Sequence, residues 1–474
     1  LKNNLITCIL RKGEITMKYF FTKKHFSVFF GSILLALILG CGLYNGGIKA
    51  SAEVTTEVLG NTLTEVSGSG TLNVAENIED IKLNVSETSE ITDICVADGN
   101  KNFKVYEGGL YSADYSTLYL VSAGNDTLKL HPDVKKICDD SREKNHFVSI
   151  ECDASNENFC VENNVLYNKD KTEIIIFPSK MTEYTMPETV SDISVITNEF
   201  CNDSEDEMFV RYNNVASNLE KIDVHSGNKK YVAIDGVLYN KSKTELVLYP
   251  ESRNGVYVMP KSVKKADSAV FCSARKLTQL TISINKTFVL NGCTSLKKVK
   301  YTEGVNGVKI YGNLFGETGT KIDRIYLPST IRYIEIINVG KGATVYGYQN
   351  TGDYEYDLSP IADIKKYVIS RGYKFKNLGT APTKVKSAKA TIKGSNVKVN
   401  WKSLSGAKGY KISFVPDKKY RFNEVVLKQI SGVKKTSCTI KKSKLKGKKK
   451  IYIRAYKVIN GIKVYGKAVE ITCK

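Results

Sequence analysis

Histidines and clustered carboxylates are the groups most able to do chemistry here, and their spacing supports very little of it. His131, His146 and His225 share no metal-ligand spacing, and His25 lies in an apolar N-terminal stretch, so no zinc site is expected. Two acidic runs, Asp203-Ser-Glu205-Asp206-Glu207 and Asp353-Tyr-Glu355-Tyr-Asp357, carry enough oxygen for calcium. They lack the ligand order of an EF-hand and read as solvated loops. Gly68-Ser69-Gly70 sits in a β-like segment with no helix after it, the wrong context for cradling a phosphate. No Ser/His/Asp or Cys/His set can be placed. The expectation is a protein without cofactor or metal that binds and does not catalyse. Two other classes stay open: an accessory module or cryptic carbohydrate-active enzyme, which needs two close carboxylates in a cleft, and a structural surface-layer component.

Eleven cysteines are present, and nine remain beyond Cys8 and Cys41. The odd number and the absence of Cys-x-x-Cys argue against a full disulfide framework. Most of the nine stand beside apolar repeat positions, where a thiol acts as a small hydrophobe. Free, buried thiols are expected, with one or two bridges still possible in a secreted chain.

The elements that would position any site are repeats. Three Leu-Tyr pairs, Leu110-Tyr111, Leu166-Tyr167 and Leu238-Tyr239, are each preceded at sixteen residues by Ile94, Ile150 or Ile222. Ten residues before each Leu stand Asn100, Asn156 and Asn228, and seven before stand Phe103, Phe159 and Tyr231. Fixed offsets of this kind mark one structural unit copied along the chain. A shorter pattern, apolar-x-x-apolar-x-apolar, recurs as Phe147/Ile150/Cys152, Leu277/Leu280/Ile282, Leu296/Val299/Tyr301, Ile322/Ile325/Leu327 and Ile331/Ile334/Ile336. Its last two positions have the period of a short strand with one buried face. Such a unit must stack on its like to bury that face, which leaves the intervening positions as an outward surface. A third pattern, Met186-Pro187-x-x-Val190, Met259-Pro260-x-x-Val263 and Leu327-Pro328-x-x-Ile331, places a proline where a strand should end.

Pro260-x-x-Val263, Ala269-Val270-Phe271 and Leu277-x-x-Leu280-x-Ile282 together resemble the leucine-rich repeat of BspA-like bacterial surface proteins, and the Asp235-Gly-Val-Leu-Tyr-Asn-Lys241 hairpin is similar to an insertion of that family. The resemblance spans roughly residues 75–380. It implies a β-rich solenoid with one short parallel strand per coil, and a secreted or surface-exposed protein that binds host or matrix components. The segment 359–371 predicts a helix, with Ser359 as N-cap, Pro360 in the first turn, Ile361, Ile364 and Val368 on the apolar face, and Gly372 just past the end. It is expected to cap the solenoid over residues 53–380.

From Ala381 the pattern changes to short alternating strands separated by turns such as Ser405-Gly406 and Asn460-Gly461. Pro382, Trp401, Gly406-Ala-Lys-Gly-Tyr410, Leu445 and Arg454-Ala-Tyr456 resemble a fibronectin type III domain over 381–474. The resemblance implies a β-sandwich with Trp401, Tyr410, Leu445 and Ala455 in its core; the corner aromatic usual after Leu445 is replaced by Lys449 or Lys450. The fold class is therefore mainly β, a leucine-rich-repeat solenoid with hairpin insertions followed by a sandwich. Of the chain's net charge of +21, this last segment supplies more than the whole, with 26 Lys/Arg against 3 Asp/Glu. A basic module of this kind suits an anionic cell-wall polymer. Nothing positions base-reading side chains, so no specific nucleic acid is expected.

Met17, Lys18, Lys23 and Lys24 followed by the apolar run Phe26–Leu39 read as a secretory signal over 17–52, cleaved after Ala52, with residues 1–16 upstream of the start. Ile38-Leu-Gly-Cys41 offers lipidation at Cys41 as an alternative, and an uncleaved apolar run would anchor the chain in a membrane; membrane contact depends on one of these two. The resulting expectation is a secreted or cell-surface bacterial scaffold for adhesion, whose protein or polysaccharide ligand is not named by the sequence. Its strand face and Leu-Tyr hairpins are expected to supply the contact.

Overall fold

The computed structural model describes residues 53–85, 90–138, 147–197, 216–305, 307–311, 321–331, 333–337, 339–340, 342–349, 351, 364–415 and 424–474, together with backbone strands at 7–11, 14–18, 199–204 and 207–211. His25, Cys41, Ala52, His146, Asp353–Asp357, Ser359, Pro360 and Ile361 lie outside the described residues, as do the side chains of 203–207. The chain divides into two compact units, Leu1–Lys241 and Ser242–Lys474.

In the first unit short strands pair in parallel from coil to coil: Ser69–Val74 with Glu90–Val96, Thr127–Leu130 with Ser149–Cys152, and Glu183–Met186 with Lys221–Val224. Their alternate residues, Leu72, Ile94, Leu128, Ile150, Tyr184 and Ile222 among them, are buried. Burying one face against the neighbouring coil is the main stabilising term, at roughly 25 cal/mol per Å² of apolar surface. Three antiparallel hairpins interrupt the coils: Phe103–Tyr106 with Gly109–Ser112, Phe159–Glu162 with Val165–Asn168, and Tyr231–Ile234 with Val237–Asn240. Each turns through two residues of positive φ, Glu107-Gly108, Asn163-Asn164 and Asp235-Gly236. That is the backbone a two-residue hairpin needs to match strand twist.

The asparagines of the repeat are the rivets between coils. Asn156 donates from Nδ2 to the carbonyls of Pro132 (2.7 Å) and Val134 (2.9 Å) in the preceding proline turn, and its Oδ1 accepts the N–H groups of Asn158 (2.8 Å) and Phe159 (2.7 Å). Asn228 repeats this with Pro187 (3.0 Å), Val190 (2.9 Å), Lys230 (2.9 Å) and Tyr231 (2.8 Å). Asn100 does the same with Ala75 (2.8 Å), Ile78 (3.0 Å), Asn102 (2.8 Å) and Phe103 (3.0 Å). One amide thus satisfies four backbone groups that have no strand partner. The aromatic three residues on is fixed by the same contact, since its own N–H is one of the four.

The second unit holds a six-stranded parallel sheet in the order Gly255–Val258, Leu277–Ile282, Lys298–Tyr301, Arg324–Tyr326, Thr344–Gln349 and Lys374–Thr380. A second parallel sheet joins Thr287–Val289, Gly307–Tyr311 and Tyr333–Ile337. Phe271 packs its ring on Tyr249 (5.4 Å), Tyr257 (5.7 Å) and Phe288 (5.3 Å). The prolines stand where expected, with Pro260 and Pro328 directly beyond their strands and the N–H groups of Val263 and Ile331 turned back onto their carbonyls.

The helix is Ile364–Ser370, and it buries Ile364, Tyr367 and Val368. Tyr373 N–H bonds to Val368 carbonyl (3.0 Å) and Gly372 N–H to Ile369 carbonyl (3.0 Å), with Gly372 at φ +79°. This is the double bond of a Schellman end, which needs a residue in the left-handed region. The expected cap is corrected here: the helix does not close the solenoid. Lys374–Thr380 follows it and adds a sixth strand alongside Thr344–Gln349. The apolar end is covered instead by the C-terminal segment, where Tyr348, Ala381 and Val464 form one buried cluster. Ser329 Oγ also reaches the Lys463 carbonyl (3.2 Å). No linker separates the two, so the boundary read at 380/381 marks a change of pairing and not a break in packing.

Beyond Ala381 lie two antiparallel sheets. One joins Lys389–Lys393, Asn396–Asn400 and Ser437–Lys441; the other joins Val425–Ser431, Gly409–Phe414, Lys450–Ile459 and Ile462–Tyr465, with Val469–Thr472 also on Lys450–Ile459. A single hydrophobic cluster draws on both sheets and contains Trp401, Tyr410, Leu445 and Ala455. The Tyr410 hydroxyl accepts Leu404 N–H (3.0 Å) and donates to Val433 carbonyl (3.1 Å).

Candidate binding face of the parallel sheet

The repeat landmarks are placed by burial. Ile94, Ile150, Ile222, Leu277, Leu280, Leu296 and Val299 all point into the core. So do both members of every Leu-Tyr pair: Leu110, Tyr111, Leu166, Tyr167, Leu238 and Tyr239 are at most 1% exposed. The Leu-Tyr side chains themselves are therefore not contact groups; what these hairpins expose is on their first strands, as at Lys104 and Val105. The second strand of each hairpin is covered on both faces, so alternation does not free one residue of the pair. Their hydroxyls are spent inside: Tyr167 shares a hydrogen bond with Tyr184 (3.0 Å), and Tyr111 accepts His131 N–H (3.4 Å). Burial pushes both phenols up from their ordinary value.

The strand face remains, and in the second unit it has a defined chemistry. The in-register inward row, Leu280, Val299, Ile325 and Val345, is buried. On either side of it run two outward rows. One reads Gln279, Lys298, Arg324, Thr344 and Lys374; the other reads Thr281, Lys300, Tyr326, Tyr346 and Lys376. Tyr326 and Tyr346 stack at 4.3 Å with their planes 11° apart. Lys298 Nζ lies 5.1 Å from the Tyr326 centroid and Lys376 Nζ 5.4 Å from that of Tyr346. The four side chains make a continuous cation–ring–ring–cation ladder. Each cation–π contact at such a half-exposed site contributes about 0.5–1 kcal/mol. Arg324 is paired with Asp323 (3.0 Å). Partial burial against Tyr346 moves the Tyr326 phenol upward.

A second cationic feature is the turn Lys441–Lys450. Seven of its ten residues are lysines, all exposed, and Leu445 alone is buried. Two acidic groups of the segment beyond Ala381 are already engaged: Glu470 with Lys450 (2.5 Å), and Glu424 with Lys411 (2.6 Å) and Arg454 (2.7 Å).

Among the described residues the groups first singled out for chemistry are not brought together. Among the described residues no three His, Cys, Asp or Glu side chains converge to hold a metal. His131 stacks on Tyr115 (3.9 Å, 7°), and His225 faces the Glu188 carboxylate (3.7 Å). Gly68 lies between two strands, with no helix after it.

The described cysteines are free, as expected, but fewer are buried than expected: Cys272, Cys293 and Cys473 are buried, Cys138, Cys152, Cys160 and Cys438 half-buried, and Cys95 exposed. Cys95 faces outward because it falls between the inward positions Ile94 and Val96 of its strand. Burial pushes the Cys293 thiol up to about 12 and the Cys272 thiol well above the usual range. Their Sγ atoms donate to the carbonyls of Phe271 (2.9 Å) and Val289 (3.5 Å). Iodoacetamide at pH 8 should therefore modify Cys95 in the folded protein while Cys272 and Cys293 stay unmodified, as read by peptide mass spectrometry. Raised thiols hold their protons in the folded state after the unfolded chain has lost them. Their contribution to stability is thus intact below about pH 8.5 and declines as pH rises toward 12.

No protein-family model matches the chain, and no curated protein matches it. Among solved structures it is similar to a leucine-rich repeat protein from Eubacterium ventriosum, at 17% identity over 63% of this chain and 86% of that one, with a TM-score of 0.30. It is similar to the pneumococcal vaccine antigen PcpA at 13% identity over 71% and 99%, with a TM-score of 0.32. A fibronectin-III-like protein from Clostridium thermocellum matches at 16% identity over 20% and 92%, with a TM-score of 0.15. At these scores the likenesses carry no inference about activity.

Proposed function

We propose that this chain is a secreted or cell-surface bacterial binding scaffold without enzymatic activity, built as a BspA-like leucine-rich-repeat solenoid with a fibronectin-type-III-like sandwich at its C-terminal end. The solenoid presents a partner-binding face, and the lysine-rich sandwich attaches the chain to an anionic polymer of the cell wall. The observation that carries this reading is the division of the six-stranded sheet into a buried apolar row and outward rows of cations and tyrosines. An outward row needs no such composition for folding, since stacking is satisfied by the inward row. The strand order of the sandwich, three strands facing a larger sheet, and the buried Trp401 beside Tyr410 (5.1 Å) favour the type III assignment.

The test is retention of the purified chain on immobilised mucin, matrix proteins, acidic wall polymers and neutral glycans. The expected result is saturable binding to at least one surface, weakened by salt, with the partner recovered unshortened. Uniform lack of retention would remove the scaffold reading, and shortened polymer would replace it with a hydrolase.

A further inference from the structure

We propose that the ladder Lys298–Tyr326–Tyr346–Lys376, with Lys300, Arg324 and Lys374 beside it, is the binding site for a linear acidic polysaccharide lying across the strands. This rests on the scaffold reading above and names its ligand class.

The rows are in register across four parallel strands, Lys298–Tyr301, Arg324–Tyr326, Thr344–Gln349 and Lys374–Thr380. Lys300 and Lys376 are therefore three strand spacings apart, about 14 Å at roughly 4.8 Å per strand. Five cations share this face, and the described carboxylate on it is Asp323, which holds Arg324. A small anion spans one or two of these groups; an extended polyanion crossing the strands meets all of them. The tyrosines decide what kind of polyanion fits. One face of each ring is taken by the other ring, and the opposite faces by Lys298 and Lys376. No open aromatic face is left for a base to stack on, so a single-stranded nucleic acid loses the contact that ordinarily holds it. The ladder instead presents ammonium and phenol donors, pinned at fixed spacing by the stacked rings. Carboxylate, sulfate or phosphodiester oxygens along a sugar chain accept from such donors without needing an open ring. Preorganising the lysines in the free protein reduces the entropy lost on binding.

The test uses the full chain and measures Kd for dextran sulfate, polygalacturonate, neutral dextran and poly-U by biolayer interferometry at several salt concentrations. The variants are Lys300→Gln/Lys376→Gln, Tyr326→Leu/Tyr346→Leu, and a control in the basic turn, Lys446→Gln/Lys448→Gln/Lys449→Gln. All substitutions lie on outward positions, and equal melting temperatures verify folding. The expected result is binding to an acidic polymer and not to neutral dextran. The lysine pair should weaken it about tenfold and flatten the log K against log salt slope by nearly 2. The tyrosine pair should weaken it several-fold without changing net charge, and the turn variant by less than twofold. Unchanged affinity in both ladder variants overturns the ladder assignment while leaving the scaffold reading intact. Abolished binding in the turn variant, or poly-U bound as tightly as the acidic glycans, overturns it equally. If no panel member binds at all, the ladder assignment falls, while the scaffold reading is decided by the separate panel of mucin, matrix proteins and wall polymers.

Discussion

Replacing Asn228 with alanine should cost about 4 kcal/mol of folding stability and lower the melting temperature of the chain by roughly 10 °C. The side chain is fully buried and meets four backbone groups in two successive coils. Alanine leaves the carbonyls of Pro187 and Val190 and the N–H groups of Lys230 and Tyr231 without that partner, at about 1 kcal/mol each. The geometry also separates asparagine from its closest isostere. Asn228→Asp keeps an acceptor for the two N–H groups but points carboxylate oxygen at two carbonyl oxygens, so it should destabilise at least as much at neutral pH. Chemical denaturation of both variants measures the difference. A loss below 1 kcal/mol for Asn228→Ala would mean that the coils are held by apolar stacking alone. Asn156 makes the same four contacts and should respond in the same way.

Glu424→Gln should destabilise the C-terminal sandwich by about 3–5 kcal/mol, because it removes the shared partner of two largely buried cations. Arg454, 4% exposed in its side chain, donates through Nε (3.1 Å) and Nη2 (2.7 Å) to Glu424 Oε1, and Lys411 donates to Oε2 (2.6 Å). Lys411 also lies 4.6 Å from the Tyr465 centroid, and Arg454 Nη1 reaches the Gly466 carbonyl (3.2 Å). Without the carboxylate, two positive charges face one another where water screens them poorly. The change is large because it breaks the cluster at its centre; removing all three charges should cost much less. Glu424→Gln/Lys411→Met/Arg454→Met should therefore recover most of the stability lost by Glu424→Gln, as read from the unfolding transition of the sandwich. Failure of the triple variant to recover would point to packing and not charge as the cause. In a segment so rich in lysine, Glu424 is held inside as the partner of two cations, while Glu470 pairs with Lys450 at the surface.

The repeating framework was legible because stacking imposes the same residue types at the same offsets. Ile222, Asn228, Tyr231 and Leu238 could be aligned with their counterparts without knowing what each does. The reason for asparagine was not legible, since its partners lie 38 to 41 residues upstream in another coil. The burial of the Leu-Tyr pairs is not legible from alternation, because the strands that carry them are covered on both faces. The strand after the helix is not legible, because Lys374-Phe-Lys-Asn-Leu-Gly-Thr380 carries little apolar alternation; it is an edge stabilised by pairing and by the sandwich beyond it. The ladder was missed for a related reason. The apolar pattern identified Val299 and Ile325 but treated the residues between as undifferentiated surface. The available signal was the flanks of each inward residue: Lys298-Val-Lys300, Arg324-Ile-Tyr326, Thr344-Val-Tyr346 and Lys374-Phe-Lys376.

Lysine footprinting with an amine-reactive acylating reagent, with and without dextran sulfate, tests the binding face most directly. The account predicts that Lys298, Lys300, Lys374 and Lys376 are shielded by the polymer, more strongly than the exposed lysines Lys389 and Lys393 of the sandwich. Shielding confined to the sandwich, with the four sheet lysines modified equally in both samples, would contradict it.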